Sequence, residues 1–271
     1  MMNFTKIALG ACRILLNQKI LQPMGFQLQN RREATTLTVM HLVGWVFADA
    51  DKVNCLQVGA NDGVTADELR PLRLRPEWHN WLLEPNPAVL AQLQHNTRSE
   101  PDTTCLPFAL GPEAGTMKLF VPDRAHLPAN DRNRDNLTQL ASLDRGKLEF
   151  ELINLFERDS VPDSWIDAIE VRVLDWPSLL NREMDSPPDV VLIDAEGLDA
   201  ILLNSFPFEQ QHPTVFVFEH HWTKPEQFEE IRALLRREGY WLSPVGHDTV
   251  AILETFIDQT YRDYPFGQPI L

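Results

Sequence analysis

Cysteine is scarce in this chain of 271 residues, which contains only Cys12, Cys55 and Cys105. An odd number of cysteines that lie far apart forms no disulfide framework and shows no metal-ligand spacing. Cys55 and Cys105 fall within apolar, strand-like stretches, where a small buried thiol is the ordinary role of the residue. The cysteine content therefore indicates a reducing compartment, and we expect a cytoplasmic protein.

Basic residues and long apolar runs are also in short supply. The chain has 24 Lys and Arg against 39 Asp and Glu, a formal net charge of −15 at pH 7. No nucleic-acid partner is expected, because phosphate binding requires clustered basic side chains. No apolar run approaches the roughly 18 to 20 residues of a membrane-spanning helix, so no integral membrane segment is predicted. With 44% hydrophobic residues, the chain can bury a full core as one domain, or as one domain with attachments.

What the chain does contain is an apolar stretch at residues 56–63 that ends in a glycine-framed turn. This pattern predicts a strand that delivers its backbone to a ligand, because glycine allows a close approach. A second apolar stretch ends at Glu84. In nucleotide-binding α/β sheets the first strand-to-helix turn holds the ligand, and an acidic residue at the end of the second strand binds the ribose hydroxyls. Gly59 and Glu84 have the separation of roughly 20 residues or slightly more that this arrangement needs.

The glycine pattern selects among nucleotide ligands. The turn has glycine at Gly59 and Gly63 with Asn61 between them, and it lacks the Gly-x-Gly-x-x-Gly pattern that seats a dinucleotide pyrophosphate on a helix N-terminus. This departure argues against NAD or FAD, and hence against a nucleotide-dependent oxidoreductase. A ligand with a ribose and no phosphate fits better, and S-adenosyl-L-methionine is the common one.

Four ordered segments, at residues 58–63, 84–87, 109–111 and 193–197, give the chain a family resemblance. They resemble the Val-Gly-Ala-Asn-x-Gly, Glu-Pro-Asn-Pro, Ala-Leu-Gly and Ile-Asp-x-Glu-Gly segments of the FkbM-type S-adenosylmethionine-dependent methyltransferases. The resemblance covers about residues 53–254. It implies a Rossmann-like class I methyltransferase fold with a mainly parallel seven-stranded sheet. It also implies S-adenosyl-L-methionine as cofactor, and an acceptor hydroxyl on a sugar, glycan precursor or other small natural product.

The hydrophobic pattern independently predicts an α/β fold. Strands alternate with helices, which demands a mainly parallel sheet with helices on both faces. We predict helices at residues 35–50, entered from Thr35 or Thr36, and at 65–74, 87–96, 198–205 and 225–238. We predict strands at residues 53–58, 79–84, 103–110, 117–121, 169–174, 189–194 and 214–219, with a strand pair at 240–242 and 249–253.

Two regions lie outside this alternation. Residues 1–52 are predicted to form an N-terminal helical extension to a methyltransferase domain at 53–271, and the helical pattern at residues 4–21 suits a packing helix, a partner-binding helix or a weak surface anchor. An insertion at residues 122–168 begins polar and then becomes leucine-rich. Insertions of this kind serve as lids or substrate walls, although a solvated excursion without function stays an alternative.

The carboxyl ends of the strands indicate where a ligand binds, since the crevice of an open α/β sheet lies outside those ends. We expect the turn at residues 59–63 to contact the methionine part of the cofactor and Glu84 to accept hydrogen bonds from the ribose. By resemblance, residues 107–110 form a wall of the adenine pocket. The predicted cofactor-binding residues are Gly59, Ala60, Asn61, Asp62, Gly63, Glu84, Pro85, Ala109, Leu110 and Asp194.

Methyl transfer mainly requires alignment of nucleophile and sulfonium in a dry site, and a base is needed only when the nucleophile holds a proton. The predicted catalytic residues are Glu196, Glu219 and His220, with His221 a further candidate base. Alternatively, Asp194, Glu219 and His220 could hold a divalent metal. A catalytically inactive cofactor-binding or scaffold protein is the rival function. N-methylation and assembly into a homo-oligomer are left open.

Overall fold

The computed structural model describes residues 38–128, 137, 140–195, 197–220 and 223–257. The strands are β1 (Val53–Val58), β2 (Trp78–Leu83), β3 (Thr103–Leu106), β4 (Ala109–Leu110), β5 (Gly115–Pro122), β6 (Ile166–Leu174), β7 (Val190–Ile193), β8 (Val215–Glu219), β9 (Tyr240–Val245) and β10 (Asp248–Leu253). The helices are α1 (Val39–Val46), α2 (Arg70–Arg73), α3 (Pro87–Thr97), α4 (Arg145–Leu155), α5 (Trp176–Ser178), α6 (Asp199–Asn204) and α7 (Pro225–Arg237), and a π-helical segment, Leu179–Glu183, continues α5. No helix in these ranges has the length and apolar character needed to cross a membrane.

Seven strands form the central sheet, in the order β3-β2-β1-β7-β8-β10-β9. The neighbours from β3 to β8 are parallel, and β10 is antiparallel to both β8 and β9. The Rossmann order of strands is 3-2-1-4-5-6. In this protein the antiparallel strand β10 is inserted between β8 and β9, which correspond to the fifth and sixth strands of that order. The predicted mainly parallel seven-stranded sheet is confirmed.

Helices cover both faces of this sheet because its buried strands are apolar on both sides. On β1, Leu56 and Val58 pack into the core that contains residues of α5, α6 and α7. Val53 and Cys55 point to the opposite face, where they join buried residues of α1 and α2. Burial raises the pKa of the Cys55 thiol to about 12, and Cys55 is free. This thiol is an inert core side chain.

The predicted third strand at residues 103–110 is wrong in its extent. The structure divides it into β3, which pairs with β2, and β4, which pairs with β6 in a second sheet of order β4-β6-β5. Pro107 lies between the two strands and has no N–H to donate to a ladder, so the pairing changes partner there. The break places one wall of the functional cavity on a separate small sheet.

The helix before β1 begins later than predicted. Its N-cap is Thr38, not Thr35 or Thr36, and the Thr38 side chain accepts a hydrogen bond from the N–H of His41. Val39, Val43 and Phe47 are buried against the sheet. The helix predicted at residues 4–21 lies outside the described residues, and the domain boundary between residues 52 and 53 stays a prediction.

The first crossover helix is confined to α2, four residues long, where residues 65–74 were predicted. Asp67 Oδ1 accepts hydrogen bonds from the N–H groups of Leu69 and Arg70, so the helix begins there. Ala66 has a positive φ of 56°, which is incompatible with a helix extending back to Thr65. The short helix leaves residues 61–67 as a loop.

The insertion forms helix α4, which lies between β5 and β6 in the chain. Asp144 caps it by accepting a hydrogen bond of 2.8 Å from the N–H of Gly146, and Leu148 and Leu152 are fully buried. Ahead of the helix, Ser142 and Phe120 exchange two backbone hydrogen bonds of 2.9 and 3.0 Å. The residues around Ser142 are thereby held against β5.

Candidate functional site

Four neighbouring parallel strands end in one row at the carboxyl edge of the sheet, as their register shows. Gly59 follows β1, Glu84 follows β2, Asp194 follows β7, and Glu219 is the last residue of β8. Adjacent strands lie about 4.8 Å apart, so these four positions are neighbours. The structure therefore brings the predicted strand-end residues to the same edge.

A cavity of about 190 Å³ opens at this edge. Eight of the ten predicted cofactor-binding residues line it: Gly59, Ala60, Asn61, Glu84, Pro85, Ala109, Leu110 and Asp194. The insertion contributes Ala141, Ser142 and Leu143 to the wall, next to Leu119 of β5. Asp62 and Gly63 are not part of the lining. The cavity is therefore bounded by the central sheet, the loop after β1 and the small second sheet.

Gly59 is required by the protein backbone itself. Its φ is +79°, and a Cβ atom at this position would lie 1.9 Å from the carbonyl oxygen of Asp194. Gly63 also has a positive φ, of 71°, and a Cβ there would lie 2.6 Å from Leu93 Cδ1 on α3. The two glycines thus allow close packing of the turn against β7 and α3, in addition to any approach of a ligand.

Glu84 is a buried carboxylate at the cavity wall, with 6% of its surface exposed. Its Oε1 accepts a 2.8 Å hydrogen bond from the N–H of Asn86, and its Oε2 accepts one of 3.1 Å from the N–H of Asn61. Burial raises the pKa of Glu84 to about 7, although these hydrogen bonds oppose the shift. Each oxygen keeps a further lone pair, so the carboxylate can accept two more hydrogen bonds.

Asp62 stabilises the turn from outside the cavity. Its carboxylate accepts hydrogen bonds from the N–H groups of Val64 and Thr65 and from the Thr65 hydroxyl, at 2.7 to 2.9 Å. Burial acts to raise the pKa of Asp62, but the hydrogen bonds from Thr65 and Val64 outweigh it and lower the pKa. In the structure this residue shapes the loop, and its predicted contact with the cofactor stays a prediction.

Two residues that line the cavity have buried side-chain oxygens without a donor. Gln57 Oε1 and Asn61 Oδ1 find no hydrogen-bond partner within the described part of the chain. Leaving such a group unpaired costs about 1 to 3 kcal/mol, so a ligand that donates to these oxygens would recover free energy. Gln57 was not among the predicted site residues, and the signal available in the sequence was a polar residue two positions before Gly59.

The predicted catalytic residues that the structure describes lie outside the wall of the cavity that most of the predicted cofactor-binding residues line. Glu219 and His220 do not line this cavity. His220 stacks on Phe228, with ring centroids 5.2 Å apart, its Nδ1 lies 3.1 Å from Thr249 Oγ1, and it lines a second cavity of about 550 Å³ beside α7. Glu196 and His221 lie outside the described residues. The catalytic roles of Glu196, Glu219 and His220 therefore stay predictions.

A metal centre at the strand ends was the alternative reading of Asp194, Glu219 and His220. Across residues 38–257, apart from the undescribed gaps, no group of three or more His, Cys, Asp or Glu side chains could hold a metal ion. Asp194, Glu219 and His220 thus do not form a ligand set in the structure. The geometry gives the metal alternative no support.

The insertion also contacts the turn that follows β7. Gly197 has a φ of +101°, and a Cβ there would lie 3.2 Å from Lys147 Cδ on α4. The Lys147 ammonium is 3.7 Å from the Glu151 carboxylate, and both side chains are largely buried. Helix α4 therefore rests on the turn beside Asp194. A lid function for the insertion stays a prediction.

The reversed strand near one edge of a parallel sheet and the cavity at the ends of β1, β2 and β7 are features of a Rossmann-like methyltransferase fold. The sequence model of the family described as the methyltransferase FkbM domain matches residues 57–242, more than half of the chain. The chain therefore belongs to the FkbM methyltransferase domain family, which confirms the resemblance seen in the four sequence segments.

Solved structures with a similar fold include methyltransferases. An FkbM methyltransferase from Methylobacillus flagellatus KT is 12% identical, with a TM-score of 0.44, and the match covers 74% of this chain and 44% of that one. A precorrin-6y C5,15-methyltransferase from Geobacter metallireducens GS-15 is 13% identical, with a TM-score of 0.38, covering 81% and 93%. Fibrillarin from Aeropyrum pernix, solved with natively bound S-adenosyl-L-methionine, is 12% identical, with a TM-score of 0.37, covering 74% and 66%. No curated protein matches the chain.

This chain thus spans less than half the length of the Methylobacillus FkbM protein.

Proposed function

We propose that the protein is an S-adenosyl-L-methionine-dependent methyltransferase. The observation that carries the proposal is Glu84, a buried carboxylate at the end of β2 that lines the cavity and holds one free lone pair on each oxygen. Two adjacent ribose hydroxyls are donors that match this pair. Membership of the FkbM methyltransferase domain family supports the same function.

The other polar groups of the cavity fit the remaining part of the cofactor. Gln57 Oε1 and Asn61 Oδ1 are buried acceptors without donors, and the amino group of S-adenosyl-L-methionine donates hydrogen bonds. Phe108, Ala109 and Leu110 offer an apolar wall for the adenine. These residues would bind and orient the cofactor, which supplies a methyl group on a sulfonium when it is bound.

The proposed acceptor is a hydroxyl of a sugar, a glycan precursor or another small natural product, as the family resemblance implies. An oxygen–carbon bond forms while the sulfur–carbon bond breaks, and the hydroxyl proton passes to a base. We propose Glu219 or His220, at the end of β8, or Glu196, after β7, for that base. Asp194 lines the cavity beside this edge, and we propose that it orients the sulfonium-bearing side chain of the cofactor.

Two measurements test the function. Calorimetry with S-adenosylhomocysteine should give one-to-one binding in the micromolar range, and incubation with radiolabelled S-adenosyl-L-methionine should transfer label to a hydroxyl-bearing fraction of a small-molecule extract. Binding without transfer to any fraction would favour the inactive cofactor-binding or scaffold protein. Absence of binding at millimolar S-adenosylhomocysteine would refute the cofactor assignment.

The affinity for S-adenosylhomocysteine should depend on pH through Glu84. With a pKa of about 7 in the ligand-free protein, the carboxyl is mostly protonated at pH 6 and mostly ionised at pH 8. A ribose diol prefers the ionised form, which accepts both hydrogen bonds, so the Kd should fall about tenfold from pH 6 to pH 8. Calorimetry at both pH values measures this change. The Glu84→Gln variant, which cannot ionise, should show a nearly constant Kd, and an equal slope in both proteins would contradict the prediction.

The same pKa shift has an opposite effect on the ligand-free fold. Because the folded pKa of Glu84 lies above its ordinary value of 4.5, the folded protein keeps a proton that the unfolded chain releases. The contribution of Glu84 to stability is therefore complete below pH 4.5 and is lost as the pH rises through about 7. Bound ligand, which favours the ionised carboxylate, should reduce this loss.

A further inference from the structure

One arginine is completely buried under the loop that follows β1. The side chain of Arg73, at the end of α2, has 0% exposure. Its Nη2 donates a 3.1 Å hydrogen bond to the carbonyl oxygen of Gly63 and a shorter one to Asp67, and its Nη1 donates one of 3.1 Å to Glu100 Oε2. The guanidinium thus connects the loop at residues 61–67 with the chain that follows α3.

Asp67 extends this connection to the cavity wall. The residue lines the cavity, and its Oδ1 accepts hydrogen bonds from the N–H groups of Leu69 and Arg70 while Oδ2 faces Arg73. Burial raises the pKa of Asp67, and the charge of Arg73 opposes that shift. Arg73 itself is not among the lining residues. It contacts the cavity wall through Asp67, and it contacts the loop through the carbonyl of Gly63.

The loop is held from a second side by α3. Asn96 Nδ2 donates a 2.8 Å hydrogen bond to the carbonyl oxygen of Asp62, next to the carbonyl that Arg73 binds. At its other end, the N–H of Asn61 is bound by Glu84. Two successive carbonyls and one N–H of the loop are thus fixed by side chains from α2, α3 and the end of β2. The path of the backbone is set by these contacts.

The stability of the fold alone does not explain a charged group at this place. Taking charges out of water is costly, and apolar replacement of a whole buried ion-pair cluster is often neutral or stabilising. Arg73 Nε is buried without an acceptor in the described chain, which adds to the cost. What an apolar side chain could not supply is the directed hydrogen bond to the Gly63 carbonyl.

We propose that Arg73 is a positioning residue that holds the loop at residues 61–67 in the shape that binds the cofactor, an inference that rests on the proposed function. Arg73 fixes the positions of the Gly63 carbonyl and the Asp67 carboxylate. These in turn fix the loop in which the N–H of Asn61 binds Glu84 and in which Asn61 lines the cavity. Loss of Arg73 changes the identity of no cavity-lining residue, but it frees the loop that carries several of them.

The experiment compares Arg73→Met with the double variant Arg73→Met/Glu100→Gln. The single variant leaves Asp67 without its guanidinium partner and Glu100 with Arg70 alone, and its Tm should fall by about 10 °C. The double variant removes one negative charge as well, so the cluster keeps one cation, Arg70, and one anion, Asp67. It should recover most of the lost Tm. Both variants should bind S-adenosylhomocysteine with a Kd raised more than tenfold, measured by calorimetry at a temperature where each is folded.

A matched control separates positioning from stability. Tyr240 donates a buried 2.6 Å hydrogen bond to the carbonyl of Pro213, far from this loop in the sheet, and Tyr240→Phe should lower the Tm by a few degrees and leave the Kd within twofold. The proposal is overturned if the double variant regains the wild-type Kd together with its Tm, or if Tyr240→Phe weakens binding as much as Arg73→Met.

A second readout does not depend on the cofactor. If the wild-type protein fails to bind S-adenosylhomocysteine, the proposed function fails, and hydrogen exchange of the amides at residues 61–67 then decides the role of Arg73. Exchange in the double variant should be at least tenfold faster than in the wild-type protein, while exchange in the central strands stays the same. Unchanged exchange in the loop overturns the inference.

Discussion

Replacement of Glu84 with alanine should weaken the binding of S-adenosylhomocysteine by about 100-fold or more. Two charge-assisted hydrogen bonds to the ribose, worth about 1.5 to 3 kcal/mol each, would be lost, and about 3 kcal/mol corresponds to a factor above 100 in Kd. The N–H groups of Asn61 and Asn86 would also lose their buried acceptor, which loosens the loops on both sides. Calorimetry at pH 8, where the wild-type carboxyl is ionised, measures the change.

Two further variants isolate the cause of that loss. Glu84→Gln keeps the shape of the side chain but replaces one acceptor oxygen with a donor, so its Kd should rise by about tenfold, the value of one such bond. Glu113→Gln removes an exposed carboxylate elsewhere and should leave the Kd unchanged. A Glu84→Ala protein with a Kd within threefold of the wild-type value would remove Glu84 from the site.

Replacement of Gly59 with alanine should abolish binding and destabilise the fold. The positive φ of +79° costs an alanine about 1 to 2 kcal/mol, and its Cβ would meet the carbonyl oxygen of Asp194 at 1.9 Å. The ends of β1 and β7 would have to separate, which displaces residues on two sides of the cavity. The Tm should fall by at least about 5 °C, and the Kd for S-adenosylhomocysteine should rise at least 100-fold.

Gly115 provides the matched control for this substitution. A Cβ at Gly115, the first residue of β5, would meet nothing within 4 Å, so Gly115→Ala should change neither the Tm nor the Kd measurably. Thermal unfolding followed by circular dichroism and calorimetry in parallel make the comparison. If Gly59→Ala behaves like Gly115→Ala, the close contact between the two strand ends is not a constraint on the site.

The central sheet was predictable because its strands carry their own signal. The runs that form β1, β7 and β8 are short, apolar and bounded by turns or carboxylates, so local pattern was enough to place them. The convergence of Gly59, Glu84 and Asp194 followed from topology, since parallel strands end at one edge. These predictions needed no knowledge of side-chain contacts.

The second sheet was not predictable in the same way. The apolar run from Thr103 to Leu110 continues across Pro107, and its hydrophobicity does not reveal that β4 pairs with β6. That pairing joins residues far apart in the chain, and no local pattern encodes it. For the same reason, the contribution of Ala141 to Leu143 to the cavity depends on the bridge between Phe120 and Ser142, which only the structure reveals.

The structural roles of the site residues were harder to predict than their identities. Gly59 was expected to make room for a ligand, whereas the structure adds the carbonyl of Asp194 as the group that excludes a side chain. No local pattern marks Arg73 and Glu100 as buried residues, because charged side chains are rarely buried and their neighbours in the chain do not reveal the exception. Their role arises from a packing arrangement that unites distant segments.

The contact between the Gly59 turn and the Asp194 carbonyl also limits how this protein can be recombined. The segment up to about residue 111 carries one partner of that contact, and the segment from β7 onward carries the other. A chimera that joins the first segment of this protein to the second segment of a homologue will fold only if these two stretches of main chain lie equally close together in both parents. Module exchange to change acceptor preference should therefore take Gly59 and Asp194 from the same parent.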